Sequence, residues 1–349
     1  AAQVIQEWVL DVFNAEEEED RERFGHLLLE RRNLRDASDP FSLPPQYFCK
    51  FYRMTPEVVL RLIPLLENRL RGERNTAIPV HLQVLMTLRF LAEGPFQKGL
   101  SQDFQHPVSQ TTVSRCINRV IDAIVELADT FIQFPTTHEE RHRIQNRTIR
   151  IPGIVGAVDG FLVKFRRPVQ NEEAFYNYRV GCAMNVQIIV DSDYNILNIR
   201  IVNSDYNILN IRFSEAKAYM DHLRNEVVQE EGHYYILADS GYTPSPTVLT
   251  PLLNAPEGTP GSRYTAEHVG TRRYVEQTIG ILTNIFMVIK RCRTLYYTPE
   301  RVTNIIHACC ILYNMRRRNG FNDEMAGRNG AGYIEGIAER NRIIQQYYA

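Results

Sequence analysis

The spacing of apolar residues changes near residue 150, and this change limits the folds open to the chain. Before it, apolar residues recur at helical spacing, as Val58, Leu62 and Leu66 do. After it come strand-like stretches, followed by helices. The strands are expected at 151–165, 184–190, 196–202 and 234–238, and the helices at about 270–290 and 299–315. Strands followed by helices that pack on them predict an α/β or α+β domain behind an all-helical N-terminal region.

The N-terminal region contains clear helix boundaries. Thr55, Pro56 and Glu57 supply a capping residue, a proline for the first helical position and an acid for the first turn. A second helix is expected from about Pro79 to Glu93, with Gly94 as its stop.

A third helix, beginning near Ser109 after a break at His106 and Pro107, has a polar first turn. Its apolar stripe is Val113, Ile117, Val120, Ile121 and Ile124. With the short segment 96–104 it fits a helix-turn-helix, whose second helix can enter a major groove. The residues expected to contact DNA are Gln110, Thr111, Thr112, Arg115 and Arg119. Many helical proteins contain such a pair without touching DNA, so the pattern leaves this contact open.

Charge is unevenly distributed along a chain whose formal net charge is only -1. Residues 1–40 carry eleven acids against five bases, whereas residues 259–318 carry ten bases against three acids. A basic segment in a neutral protein is the expected footprint of a polyanion site, although a solvated helix face has the same composition. The acidic N-terminal helix is the expected surface for self-association or for a partner protein.

Several classes of protein are disfavoured. The six cysteines show no CxxC pairing with a histidine, which argues against a zinc finger and suits reduced, intracellular thiols. No signal peptide and no membrane-spanning helix are expected, because neither pattern occurs. A P-loop, a GxGxxG motif and a nucleophile elbow are also missing from the sequence.

One nonamer, SDYNILNIR, occurs twice, at 192–200 and identically at 204–212. Two copies are too few for a solenoid. A local duplication or an error in the recorded sequence are the two explanations, and a real second copy would add a strand or a long hairpin.

Three acids stand out as candidates for chemistry. Asp159 and Asp239 end or interrupt apolar strands, where a carboxylate needs a partner, a capping role or a metal. A turn cap would explain either one alone, but two on central strands favour a shared cation. Glu276 lies beside the apolar stripe of its helix and can face the sheet edge. Carboxylates bind Mg²⁺ or Mn²⁺, and two such ions serve phosphodiester chemistry. The bases expected to hold the phosphate backbone are Arg272, Arg273, Lys290, Arg291 and Arg293.

These acids lie in motifs that resemble those of the PIF/Harbinger transposases and of the host nucleases derived from them. The motifs are GAVDG at 156–160, ADSGY at 238–242 and RRYVEQTIG at 272–280. The acids are 80 and then 37 residues apart, and HACCILYN at 307–314 looks like the family's C-terminal helix. The resemblance covers about 150–315.

The resemblance implies an RNase H-like catalytic core, a mixed sheet flanked by helices. Asp159, Asp239 and Glu276 would form a DDE triad that binds two Mg²⁺ or Mn²⁺ ions and cleaves DNA, with or without strand transfer. It further implies that the substrate is double-stranded DNA, either transposon ends or sites derived from them, and that a Myb-like DNA-binding protein is a partner. A homo-oligomer is expected, located in the nucleus and secondarily in the cytoplasm.

The expected organisation has five parts. They are an acidic helical arm (1–50), a helical DNA-binding domain (51–135), a linker (136–150), the nuclease domain (151–318) and a C-terminal tail (319–349).

One departure from the family concerns a Pro-Gly-Ser-x-His-Asp-like stretch, which is missing unless Asp221 and His222 replace its His-Asp pair in reversed order. A metal-dependent nuclease or transposase is therefore the main hypothesis, and a domesticated, catalytically inactive DNA- or protein-binding module is the alternative. A third hypothesis, an RNase H-like exonuclease or RNase, shares the metal chemistry.

Overall fold

The fold is taken from a computed structural model of the chain. It describes residues 22–27, 29–30, 32–37, 39–72, 77–94, 109–145, 151–170, 172–177, 180–202 and 234–318. The second nonamer, the Asp221–His222 pair, the segment 96–104 and the tail 319–349 lie outside these residues. The predicted helix-turn-helix therefore stays a prediction, because its first helix falls on that segment.

The N-terminal region is helical, as predicted. Its helices are α1 (Pro45–Tyr52), α2 (Pro56–Leu70), α3 (Val80–Glu93), α4 (Gln110–Val125) and the short α5 (Ala128–Phe131). Thr55 caps α2 by accepting a hydrogen bond from the amide of Val58, and Ser109 caps α4 in the same way through Thr112. Gly94 ends α3 with a φ of 115°, a conformation that side chains disfavour. The predicted apolar stripe of α4 is buried.

The segment 136–150 was expected to be a linker, but residues His138–Gln145 form helix α6. The Thr137 hydroxyl accepts a hydrogen bond from the amide of Glu140, whose carboxylate accepts from the amides of Thr136 and Thr137. This reciprocal capping starts a helix in a sequence with little apolar character. The buried side chain of Arg141 anchors it, because its guanidinium donates to the carbonyls of Pro135 and Thr136.

A mixed seven-stranded sheet follows, with the order β2-β3-β1-β5-β6; β4 pairs with β3, and β7 pairs with β1. The strands are β1 (Ile154–Phe165), β2 (Tyr176–Asn177), β3 (Gly181–Val190), β4 (Ile196–Val202), β5 (Tyr235–Leu237), β6 (Val248–Leu249) and β7 (Thr294–Leu295). Strands β1, β3 and β4 pair antiparallel, whereas β5 runs parallel to β1. Strands lie at the positions where the sequence predicts them, and helices follow, which confirms the α/β class.

Two long helices flank the sheet, α7 (Pro260–Ile285) and α8 (Pro299–Arg318). Helix α7 was expected over about 270–290, but it begins ten residues earlier, where Thr259 caps it and Pro260 takes the first helical position. It ends before Phe286, which leaves the helical conformation and leads into a 3₁₀ turn at Met287–Ile289.

The N-terminal helices and the sheet share one hydrophobic core. A single cluster of buried side chains runs from Phe48 in α1 through the sheet to Met315 in α8. Arg301 of α8 pairs with Asp122 of α4 and donates to the carbonyl of Asn118. The sheet therefore rests on the helical region, although the predicted domain boundaries themselves stay predictions.

The first nonamer forms the hairpin that joins β3 to β4. The Asp191 carboxylate closes its turn by accepting from the amides of Asp193 and Asn195, and Tyr194 adopts a left-handed conformation with φ 64°. Cys309 and Cys310 are buried in α8. Within the described residues no helix is long and apolar enough to cross a membrane.

Candidate active site

Two of the three predicted acids lie on or just after two neighbouring strands in the middle of the sheet. Ala157 of β1 is paired with Leu237 of the parallel strand β5, and both belong to the main core cluster. Asp159 follows Ala157 by two residues within β1, and Asp239 follows Leu237 by two residues, just beyond the end of β5. Neighbouring strands are about 4.8 Å apart. The register therefore places the two acids close enough for the charge of Asp239 to act on the pKa of Asp159.

Asp159 is the more enclosed of the two, with 24% of its side chain exposed. Burial raises the pKa of its carboxyl, while the amide of Gly160 and the charge of Arg272 lower that pKa. The negative charges of Glu276 and Asp239 act to raise the pKa of Asp159. This carboxylate therefore experiences the fields of both other acids.

Each aspartate accepts a hydrogen bond from the amide that follows it. Asp159 accepts from the amide of Gly160 at 2.8 Å, and Asp239 from the amide of Ser240 at 2.7 Å. The turn-cap interpretation suits only Asp239, whose carbonyl accepts from the amide of Tyr242, because β1 continues without a break through Asp159. Each bond occupies one carboxylate oxygen, so the second oxygen of each remains for other contacts.

Glu276 comes from α7, which packs across β1 and β3 through residues such as Val275 and Leu282. Its side chain is half exposed, and its carboxylate pairs with Arg272 one helical turn earlier. The Arg272 guanidinium also lies against the sheet, with Nη1 at 3.4 Å from Oδ2 of Asp159. Arg272, expected to hold a phosphate, thus lies between two of the three acids.

The donor atoms suit a hard divalent cation, because all three side chains offer carboxylate oxygens. Yet among the described residues no three His, Cys, Asp or Glu side chains are close enough together to hold a metal ion. The Arg272 guanidinium lies between Asp159 and Glu276, and its Nη1 is buried without a hydrogen-bond partner. The three carboxylates therefore have the right chemistry for the cation. The Arg272 guanidinium has to move before they can approach one another closely enough to bind it.

His268 is packed in the interior beside the candidate site. It is wholly buried on α7 one turn before Arg272, with Nε2 at 3.0 Å from the carbonyl oxygen of Leu249. Burial lowers the pKa of His268, so the ring is neutral near pH 7.

All five DNA-contact residues predicted on α4 lie where a ligand could reach them. Gln110, Thr111, Arg115 and Arg119 are exposed and Thr112 is half-buried. Arg119 also donates to the carbonyls of Arg69 and Leu70 at 3.2 Å each. Those carbonyls end α2, so Arg119 stabilises a helix terminus as well as lying on the exposed face.

The second predicted basic group is divided between two places. Arg273 is exposed on α7, whereas Lys290, Arg291 and Arg293 precede β7, which pairs with the far end of β1. Lys164, at that end, is five residues from Asp159, a distance of about 17 Å along a strand. The group near β7 therefore lies beyond direct reach of the acids. Two of its members have internal contacts, since Lys290 donates to Asn284 and Arg293 packs over Gly94.

Sequence reasoning missed an open groove of about 940 Å³ at that end of β1. It is bounded by Arg166 and Arg167 after β1, by Tyr296 after β7 and by Asn118 of α4. Tyr296 is 66% exposed, and Arg166 is also exposed. The arginine pair directly after a strand is the signal that could have indicated this groove.

The comparisons with known proteins bear on the family of the chain. Residues 158–314, which include all three acids, match the family described as DDE superfamily endonuclease. The chain is 27% identical to "Putative nuclease HARBI1" of Xenopus laevis over 89% of this chain and 87% of the relative. It is 26% identical to the Homo sapiens protein of that name, over 85% and 83%. "Protein ALP1-like" of Arabidopsis thaliana is 22% identical over 67% of this chain and 59% of its own. No solved structure matches.

Proposed function

We propose that this chain, as a member of the Harbinger-type DDE endonuclease family, is a metal-dependent nuclease. It would cleave phosphodiester bonds of DNA. The observation that carries the proposal is the proximity of three acids from three elements: Asp159 on β1, Asp239 just after the neighbouring strand β5, and Glu276 on α7, whose charges both act on Asp159. Three carboxylates from three separate elements are costly to bring together unless a cation offsets their repulsion.

Asp159, Asp239 and Glu276 would hold two divalent cations, Mg²⁺ or Mn²⁺. When bound, such ions activate a water or a 3′-hydroxyl and stabilise the leaving oxygen. The protein fixes the position of two of its carboxylates through the sheet, because Asp159 lies within a paired strand and Asp239 directly follows one. Glu276 is carried by a helix whose buried face fixes its height above the sheet. Rigid elements of this kind keep the ligands in place during turnover.

Double-stranded DNA, as transposon ends or sites derived from them, is the substrate that we propose. Its path would run from the exposed side chains of α4, across the groove at Arg166 and Tyr296, to the acids. Support comes from Asn118, which belongs to α4 and also lines the groove. Basic and aromatic side chains contact phosphates and unpaired bases, respectively. The groove thus continues the surface of α4 toward β1.

Strand transfer, a Myb-like DNA-binding partner, a homo-oligomeric state and location in the nucleus belong to the same proposal. The helical residues within 22–37 favour a contact with another protein chain. Phe24, Leu27, Leu29 and Leu34 are all more than half exposed there. An apolar face within an acidic arm suits a protein surface better than a DNA backbone.

A second candidate function is a domesticated, catalytically inactive binding module. The specific observation in its favour is the ion pair of Arg272 with both Asp159 and Glu276, in which one guanidinium offsets part of the negative charge of the two acids. Such a protein would bind DNA or a partner and leave the phosphodiester bonds intact.

The test is cleavage of supercoiled plasmid and of labelled linear duplex in Mn²⁺, with labelled RNA as a second substrate. Asp159→Asn and Glu276→Gln should each lose at least about a hundredfold in rate, because a lost ligand removes several kcal/mol of transition-state stabilisation. Glu267→Gln is the matched control, since it makes the same change at an exposed position of α7.

DNA cleavage by the Asp159→Asn protein at the wild-type rate would exclude these acids as the active site. Stable DNA binding without cleavage by the wild type would favour the binding module. Faster cleavage of RNA than of DNA would replace the proposed substrate by RNA.

A further inference from the structure

Arg272 lies at the centre of the acidic site rather than on its rim. Only 13% of its side chain is exposed, although an arginine normally keeps its charged end in water. Its Nη2 pairs with Glu276, and its Nη1 faces Asp159. The guanidinium thus joins a carboxylate on a helix to a carboxylate on a strand.

The contact to Asp159 is incomplete. Nη1 is 3.4 Å from Oδ2 of Asp159, yet it is buried and has no hydrogen-bond partner. An unpaired buried donor on a charged group is costly, so this arrangement is poorly satisfied compared with a bidentate pair. Arg272 therefore supplies charge to Asp159 without a good hydrogen bond.

The surroundings restrict where the guanidinium can go. His268, one turn earlier on α7, is neutral and donates away from Arg272 to the carbonyl of Leu249. It therefore offers Arg272 no anionic partner. Glu276, one turn later, is half exposed, so the pair can swing toward solvent without disturbing the buried face of α7.

We propose that Arg272 is a positioning residue that serves as the internal counter-cation of the site. It holds Asp159 and Glu276 together before metal binds, and it gives way to divalent cations that then take over both carboxylates. This inference rests on the proposed function. The displaced guanidinium turns outward, where its planar pair of donors suits a DNA phosphate.

This role explains two observations together. Asp159 and Glu276 lie on either side of one guanidinium because a positive charge between them offsets the repulsion that two carboxylates alone would have. No group of three metal ligands is formed among the described residues because the guanidinium keeps two of the acids on either side of itself. Metal and Arg272 therefore compete for the same oxygens.

The test is calorimetric titration of Mn²⁺ into the full chain without DNA, for wild type, Arg272→Gln and Arg272→Lys. Arg272→Gln should bind Mn²⁺ about tenfold more tightly than wild type, because a competing unit charge close to the carboxylates is removed. Arg272→Lys keeps the charge, and its affinity for Mn²⁺ should lie between those of wild type and Arg272→Gln. Arg263→Gln removes the same charge from an exposed position of α7 more than two turns away, and it should bind like wild type.

A second readout is the unfolding temperature in EDTA, which should fall for Arg272→Gln because three carboxylates then face one another without a counter-charge. Adding Mn²⁺ should restore more stability to this variant than to wild type. If the Arg272→Gln protein does not fold, the unfolding temperatures of Arg272→Lys in EDTA and in Mn²⁺ are compared with those of wild type instead.

Equal or weaker Mn²⁺ binding by Arg272→Gln, with binding abolished by Asp159→Asn, would overturn the role of Arg272 and leave the metal site standing. Mn²⁺ binding that survives Asp159→Asn unchanged would overturn the proposed nuclease site together with the role of Arg272.

Discussion

At the scale of single residues, His268 links the stability of the protein to pH. Burial lowers the pKa of its ring below the ordinary value of about 6.5, so the folded protein takes up this proton less readily than the unfolded chain. Where the unfolded state binds more protons, stability falls as pH falls. The contribution of His268 is therefore complete above pH 6.5 and is lost progressively below it.

We predict that His268→Gln flattens the decrease in unfolding free energy between pH 7.5 and 5.5, since glutamine does not titrate there and can still donate to Leu249. Denaturant unfolding at several pH values measures this. Some pH dependence should remain, because burial also lowers the pKa of His81 and of His307. An unchanged slope would show that His268 does not titrate on unfolding.

The sequence predicted the three acids but not the side chain between them. Arg272 and Glu276 are four residues apart on a helix, which by itself favours an ion pair. The partner on the other side, Asp159, is 113 residues away in sequence and meets Arg272 only through the packing of α7 on β1. Arg272 was therefore predicted to hold a DNA phosphate, because the segment around it is rich in basic residues.

At the scale of elements, Asn314 joins α8 to β4. Its side-chain oxygen accepts from the amide of Ile196, and its nitrogen donates to the carbonyls of Ile196 and Phe131. The residue is 1% exposed. One amide group thus joins α8, the first residue of β4 and the last residue of α5.

We predict that Asn314→Ala destabilises the fold by about 2–4 kcal/mol, because three hydrogen bonds to backbone groups in the protein interior are lost at once. Asn304→Ala, on the same helix, removes a single exposed contact to Asp122 and should cost less than about 1 kcal/mol. Urea unfolding of both variants measures the difference. Equal costs would contradict this account of Asn314.

Elements were predicted well wherever local chemistry was sufficient. Thr55 and Pro56 gave the start of α2, and the same pair at Thr259 and Pro260 starts α7, where the weaker apolar periodicity after it concealed the signal. Helix α6 was missed because its stability comes from capping and from the buried Arg141, neither of which gives a hydrophobic period.

At the scale of the whole molecule, the groove beside Arg166 connects the helical region with the sheet. The sequence did not predict this junction, because its contacts join residues far apart, such as Asp122 and Arg301. Polar residues at 136–150 instead favoured two separate units. The shared core means that α4 and the acids keep a fixed relation, which a nuclease needs if recognition is to set the position of the cut.

We predict that Arg166→Gln weakens binding to duplex DNA at low salt and lowers the slope of log K against log salt by about 0.9, the value for one lost phosphate contact. Arg263→Gln, an exposed arginine on α7 away from the groove, should leave the slope unchanged. Fluorescence anisotropy over a salt series measures both. An identical slope for Arg166→Gln and wild type would remove the groove from the DNA path.

The central claim is that Asp159, Asp239 and Glu276 form a site for divalent cations. Anomalous diffraction from crystals of the full chain grown with excess Mn²⁺ tests it most directly, since the peaks locate the ion without reference to activity. We predict Mn²⁺ bound to these three carboxylates, with the guanidinium of Arg272 displaced from between Asp159 and Glu276. Mn²⁺ bound elsewhere, with Arg272 still paired to both acids, would contradict the claim.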